Sequence, residues 1–166
     1  ARHDRFLREF APRILEEIDG PKYSCVEIGC GVGSVTQAFS HIFKQATAFE
    51  IDKKLVNIVK QRASLFGLDN LSCQYVPPES IVAQAVAHAN GPTVYMLYAV
   101  LEHMTEQERL QALTTIWNAM KKGDYLYIGN TPNRLSYQDL HTHETPFLIG
   151  LPDHTALNYL AIRPEI

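Results

Sequence analysis

No apolar run in this sequence is long enough to cross a bilayer. The longest, Val94 to Leu101, holds eight residues against about twenty for a spanning helix, so no membrane role is expected. Cysteine is scarce as well. Cys25, Cys30 and Cys73 show no C-x-x-C spacing and no secretory leader is expected, which fits free thiols in a reducing, cytoplasmic setting rather than a disulfide framework. Positive charge is not in excess: 15 Lys+Arg against 18 Asp+Glu leave a net charge of -3. Without a positive field there is no counterion-driven attraction to polyanions, so nucleic acid and anionic lipid are not expected as partners. Internal repeats, low-complexity tracts and linkers are also missing. What remains is an ordinary globular composition, 46% apolar and 20% charged over 166 residues. A single domain over 1–166 is the natural count, and such a chain buries roughly two thirds of its unfolded surface. The first residue is Ala1 rather than Met, which points to a portion of something longer.

Short β-rich runs alternate with amphipathic stretches, the pattern of a parallel sheet with crossover helices. Residues 1–22 read as a helical lead-in. Phe6, Leu7, Phe10, Ile14, Leu15 and Ile18 recur at helical spacing, with a break at Pro12 and a stop at Asp19-Gly20-Pro21. Strands are predicted over 24–29, 46–51, 71–76, 93–98 and 125–129. A helix over 33–43 turns Val35, Ala38, Phe39 and Ile42 inward. The next, capped by Asp52, has Leu55, Ile58 and Val59 as its apolar stripe. Pro77-Pro78 starts a further helix to about Ala89. Thr105 to Glu108 is a capping box, followed by Leu110, Leu113, Ile116, Trp117 and Met120. Five such units imply a three-layer, doubly wound α/β domain whose ligand crevice lies at the carboxyl ends of the strands. Residues 131–166 contain no strand pattern and read as a substrate-side loop and helix.

The chemistry is concentrated in Val26-Glu27-Ile28-Gly29-Cys30-Gly31-Val32-Gly33-Ser34, a strand running into a glycine turn that opens a helix. Glycine admits positive φ and lets a ligand approach the backbone. A dinucleotide fingerprint has G-x-G-x-x-G, which brings a helix N-terminus onto a pyrophosphate. Here Ser34 occupies the third glycine position, the spacing is G-x-G-x-G, and a carboxylate, Glu27, stands ready for a cation.

E-x-G-x-G-x-G after a first strand resembles motif I of the class I S-adenosylmethionine-dependent methyltransferases. Within Ala48-Phe49-Glu50-Ile51-Asp52, Glu50 comes 21 residues after Gly29, where that family places the acid accepting both ribose hydroxyls. A carboxylate has two oxygens matched to a cis-diol. Tyr98-Ala99-Val100-Leu101-Glu102-His103-Met104 resembles the "vLEH" segment of the family's small-molecule branch. Asn130 to Leu135 with Asp139, His141, Pro146-Phe147 and Leu151-Pro152 is similar to a pattern after strand five in some of those relatives. The resemblance covers about 23–152. It implies a Rossmann-like methyltransferase fold, S-adenosyl-L-methionine as cofactor, and methyl transfer to a small-molecule, sugar or lipid-like acceptor. It further implies cofactor contacts from Glu27, Gly29, Cys30, Gly31, Gly33, Glu50, Ile51, Tyr98 and Ala99. Two departures stand out. Pro77 replaces an acid that meets the adenine amino group in many relatives, leaving Glu79 or backbone for that contact. The family's terminal antiparallel hairpin is missing before Ile166, so the chain is expected either to continue or to be a trimmed domain.

Plainer readings compete at several positions. Tyr98 and Ala99 equally fit core packing, and Cys30 reads as a small neighbour of the ligand rather than a reactive thiol. Asp139-x-His141-x-His143 invites a metal, but alternation in a loop does not make ligands converge, so none is expected. His103 and His141 are candidate catalytic bases, because imidazole accepts a proton near neutral pH. The fourth strand lacks the N/D-P-P-Y/F/W signature of planar-amine methylation, which argues against a nucleobase acceptor. Two other functions stay open: a nicotinamide oxidoreductase, opposed by Ser34, and a cofactor-binding or interaction domain without transfer activity.

Overall fold

The computed structural model describes residues 2–131 together with Leu151, His154, Thr155 and Asn158. His141, the 131–166 loop-and-helix reading beyond Thr131, and the question of a terminal hairpin therefore lie outside the described residues. Five runs of apolar and β-branched residues form strands: β1 (Ser24–Ile28), β2 (Gln45–Glu50), β3 (Leu71–Tyr75), β4 (Thr93–Tyr98) and β5 (Tyr125–Gly129). They pair in parallel in the order β3-β2-β1-β4-β5. Chain order reverses between β1 and β4, so the crevice over that switch point sits at the centre of the sheet. All six residues of β4 are buried, as expected of a strand covered on both faces.

The lead-in forms α1 (Arg2–Glu9) and α2 (Ala11–Glu17), separated at Phe10 where Pro12 enters the first turn of α2. The other helices are α3 (Ser34–Ser40), α4 (Lys53–Phe66), α5 (Ile81–His88) and α6 (Glu106–Ala119). Strand side chains alternate between two layers. Cys25, Ala46, Val94 and Met96 pack under the first three helices, and Ala48 and Cys73 under Val56 and Val59 of α4. Val26, Ile28, Phe49, Tyr95 and Leu97 face α5 and α6. This unit runs from Ala1 to Gly129, and Asn130–Ile166 form a second.

Two helix faces differ from expectation. On α4 the buried pair is Val56 and Val59, while Leu55 is half-buried and Ile58 exposed. On α6 the inward arc centres on Ala112 and Ile116, leaving Leu110 and Trp117 68% and 71% exposed. Apolar spacing marks a stripe about 100° wide without fixing its centre, and small residues such as Ala112 set that centre by allowing close approach. The helix expected from Pro77 begins at Ile81, because 77–80 form a turn in which the Ser80 N–H donates to the Pro77 carbonyl. Among the described residues, no helix is long and apolar enough to cross a membrane.

Candidate cofactor cleft

The glycine turn after β1 bends through three positive-φ glycines: Gly29 at 74°, Gly31 at 57° and Gly33 at 74°. Their surroundings divide their roles. A Cβ on Gly29 would lie 2.8 Å from Val100 Cγ2, so this glycine is required by packing. A Cβ on Gly31 would meet nothing within 4 Å, so this one presents bare backbone to open space. Gly33 precedes α3 and packs against Val59.

Glu50 ends β2 and is only 5% exposed. Its Oε2 accepts the Gly31 N–H at 2.7 Å, and its Oε1 accepts those of Ile51 at 2.7 Å and Asp52 at 3.1 Å. Three backbone donors stabilise a charge that burial alone would penalise. Asp52 goes on to cap α4 by accepting the Lys54 N–H. On the other side of the turn, Arg62 from α4 donates to the Val32 carbonyl at 2.7 Å and to Ser34 Oγ at 3.3 Å.

Glu27 behaves differently. It is 2% exposed in mid-sheet, opposite Ala48 and Met96, and accepts a hydrogen bond from Thr36 Oγ1 of α3. Burial pushes its carboxyl up to about 7, with the nearby Glu50 charge adding to the rise and the Thr36 bond opposing it.

A cleft of about 860 Å³ opens over the carboxyl ends of β1, β2 and β4, within the size range of ligand sites. Of the sequence-predicted site residues, Gly29, Gly31, Glu50, Ile51, Ala99 and His103 line it. Glu27, Cys30, Gly33 and Tyr98 do not line it. Tyr98 is 9% exposed and packs edge-on against Phe6, with ring centroids 5.8 Å apart. Ala99, at φ 57°, holds the backbone in a left-handed bend that carries Val100 over Gly29. Glu79 also lines the cleft, whereas Pro77 does not.

Several lining residues escaped the sequence reading. Leu55, on the apolar stripe expected of α4, is half-buried and lines the cleft. The stripe Glu108, Gln111, Ala112 and Thr115 on α6 faces the cleft at i, i+3, i+4 and i+7 spacing. That spacing was the available signal, hidden because the capping box explained Glu108, which accepts from the Thr105 N–H at 2.7 Å.

A family model described as a methyltransferase domain matches residues 25–123. The ribosomal RNA small subunit methyltransferase A of Mesomycoplasma hyopneumoniae (strain 232) is 38% identical over 55 residues, 33% of this chain and 21% of that protein. The chain thus spans about a fifth of the length of that curated relative. The solved coclaurine N-methyltransferase, bound to N-methylheliamine and SAH, superposes with a TM-score of 0.58 at 17% identity, covering 76% of this chain and 35% of that one. An rRNA methylase from Streptococcus thermophilus superposes at 0.55 with 20% identity, covering 87% and 89%. At such identities the structures share the fold.

These relatives overturn one expectation, that nucleic acid is not a partner. Neither a net charge of -3 nor a fourth strand without the N/D-P-P-Y/F/W signature excludes such a partner. Net charge averages over a whole surface, whereas phosphate contacts are local and a base is read inside its own pocket.

Proposed function

The chain belongs to the methyltransferase-domain family, and we propose that it is a class I domain binding S-adenosylmethionine in the cleft over β1, β2 and β4 and transferring its methyl group. The observation that carries this reading is the bare backbone at Gly31 beside the buried Glu50 carboxylate, at the mouth of a cleft of about 860 Å³. The residues fit the group. A carboxylate offers about four lone-pair sites, and three backbone donors already use it. A ribose diol would be held by the acceptor capacity that remains on this carboxylate. Ile51 and Leu55 supply apolar wall, and Glu79 a polar group, for the adenine end. When bound, the cofactor supplies an electrophilic sulfonium methyl.

The chain's own contribution is orientation and exclusion of water. The glycine loop is held from behind, so cofactor and acceptor meet in a fixed geometry, the main source of rate in a displacement of this kind. Ala99, His103 and Met104 line the cleft on its β4 side, where the acceptor would enter. His103 is the candidate base for an acceptor that must lose a proton, and His141 a second candidate from beyond the described residues. The apolar character of Ala99, Val100 and Met104 favours a small-molecule acceptor. A second reading, an RNA base, is favoured by the curated ribosomal RNA methyltransferase relative.

Calorimetric titration with S-adenosylmethionine and with NAD, followed by methyl transfer to a metabolite panel and to ribosomal RNA fragments, tests the reading. Binding of the first alone is expected. His103→Ala should lower the transfer rate by about a hundredfold or more at saturating cofactor while leaving cofactor affinity unchanged. Binding of NAD alone refutes the cofactor, and cofactor binding without transfer to either panel supports a domain that binds only.

A further inference from the structure

We propose that Cys30 and Cys73 form an oxidation site, closing to a disulfide that loosens the glycine loop and lowers affinity for the cofactor; the affinity half rests on the function proposed above. All three cysteines are free and buried. Cys25 packs in a separate cluster with α1–α3, but Cys30 and Cys73 share one, with their sulfurs 3.8 Å apart. They come from positions 43 residues apart, across an intervening strand. Ala48 of β2 makes this contact possible: it pairs with Cys73, is fully buried and carries only a methyl group between them. Val56 and Val59 of α4 close the cluster from above.

A disulfide needs a sulfur separation of about 2.05 Å, so the pair must draw together by nearly half its present distance. The movement falls on Cys30. Cys73 is fixed in the β3 ladder, whereas Cys30 stands in the turn between two glycines at positive φ, where the backbone is most easily redirected. The next residue is Gly31, whose N–H is held by Glu50 at 2.7 Å. Pulling Cys30 toward β3 therefore strains the bond that sets the loop against the cleft.

The two thiols are not equivalent. The shared hydrogen bond holds Cys30 above the ordinary thiol range, with burial adding to the rise. The same bond, opposed by burial and helped by the Lys60 charge, holds Cys73 below it. With the shared proton on Cys30, Cys73 is the attacking sulfur. With hydrogen peroxide as oxidant, Cys73 sulfur forms an S–O bond as the O–O bond breaks, and the departing hydroxide takes up a proton to become water. Cys30 sulfur then displaces the remaining oxygen. The S–S bond forms, the S–O bond breaks, and that oxygen leaves as water with the Cys30 proton. Two electrons pass from the sulfur pair to peroxide.

The experiment treats the reduced protein with hydrogen peroxide and digests it without reductant. Mass spectrometry then detects a peptide joining Cys30 to Cys73. Hydrogen exchange at the Gly31 amide and affinity for S-adenosylmethionine are measured before and after. The linked peptide should appear and revert with dithiothreitol, Gly31 exchange should accelerate, and affinity should fall about tenfold, the equivalent of one charge-assisted bond. Cys73→Ala under the same treatment should show none of the three, and Cys73→Ser serves the same purpose if the alanine variant does not fold. Peroxide products confined to unlinked sulfinic acids, or a link with unchanged Gly31 exchange and affinity, overturn the proposal. Linkage and faster exchange in a protein whose reduced form does not bind S-adenosylmethionine support the disulfide and sink only the cofactor reading.

Discussion

Glu50→Gln removes one charge and almost no volume, and the structure sets what that should do. The carboxamide keeps one carbonyl oxygen. Turned toward Ile51 and Asp52, that oxygen preserves two of the three backbone bonds and leaves an NH2 against the Gly31 N–H, donor facing donor. Turned the other way it preserves the Gly31 bond and loses the two at 2.7 and 3.1 Å. In both rotamers at least one charge-assisted bond is lost at a residue only 5% exposed. Such a bond contributes about 1.5–3 kcal/mol, so stability should fall by about 2–4 kcal/mol once the mismatched donors are counted. For a chain of this size that lowers Tm by about 4–16 °C. Affinity for S-adenosylmethionine should fall too, because the diol loses a charged acceptor; about 1.5–3 kcal/mol there raises Kd by about 10- to 100-fold. Thermal melting and calorimetry on the same preparation read both. A Tm and a Kd indistinguishable from the parent's refute the whole account. A lowered Tm with unchanged Kd keeps the loop tie and removes Glu50 from the cofactor contact.

Glu27 predicts a pH dependence of stability. Its folded pKa, about 7, lies above the ordinary 4.5, so the native state favours the protonated form. Below about pH 4.5 both states hold the proton and no cost arises; between about 4.5 and 7 the unfolded chain releases it first, stability declines with rising pH, and the loss levels off between about 3 and 4 kcal/mol, at about 1.4 kcal/mol per pH unit. Urea denaturation of the parent and of Glu27→Gln across this window should show that decline only in the parent; parallel curves for the two refute the assignment. The glycines predict a contrast. Gly31→Ala should cost about 1–2 kcal/mol of stability from its positive φ, yet weaken cofactor binding because its methyl enters the cleft. Gly29→Ala should lower Tm further, since its Cβ would stand 2.8 Å from Val100 Cγ2. Unchanged affinity in Gly31→Ala would reduce that loop to a turn.

Strand positions, the Asp52 cap and the Thr105–Glu108 capping box were legible because each is written in adjacent residues: a short apolar run, or a polar side chain two or three positions from the amide it serves. Helix faces were less so. Leu110 and Trp117 carry the right spacing and still point away from the sheet, because the close approach of Ala112 sets the rotation of α6, and a methyl group weighs little in an apolar pattern. Contacts that depend on what lies between two segments were not legible at all. The Cys30–Cys73 contact exists because the residue separating them on β2 is alanine. Nothing near either cysteine in sequence says so.

The candidate site sharpens the same point, since most residues of the glycine motif serve the loop rather than the cleft. Glu27 joins β1 to α3 through Thr36, Gly33 admits Val59, Arg62 holds the Val32 carbonyl, and Glu50 holds the Gly31 amide. These four attachments approach from behind or beside the turn and leave the face of Gly31 uncovered. A loop held at four points loses little further freedom when a ligand arrives, so the ordering cost of binding is met during folding. It follows that substitutions at Glu27 or Gly33 should act on affinity only through stability. Raising stability by an unrelated route, such as filling space elsewhere in the sheet, should then restore binding to those variants. The same rescue should fail for Gly31→Ala, whose methyl group occupies the ligand's own space. Recovery of both classes, or of neither, would contradict the division between residues that hold the loop and backbone that meets the ligand.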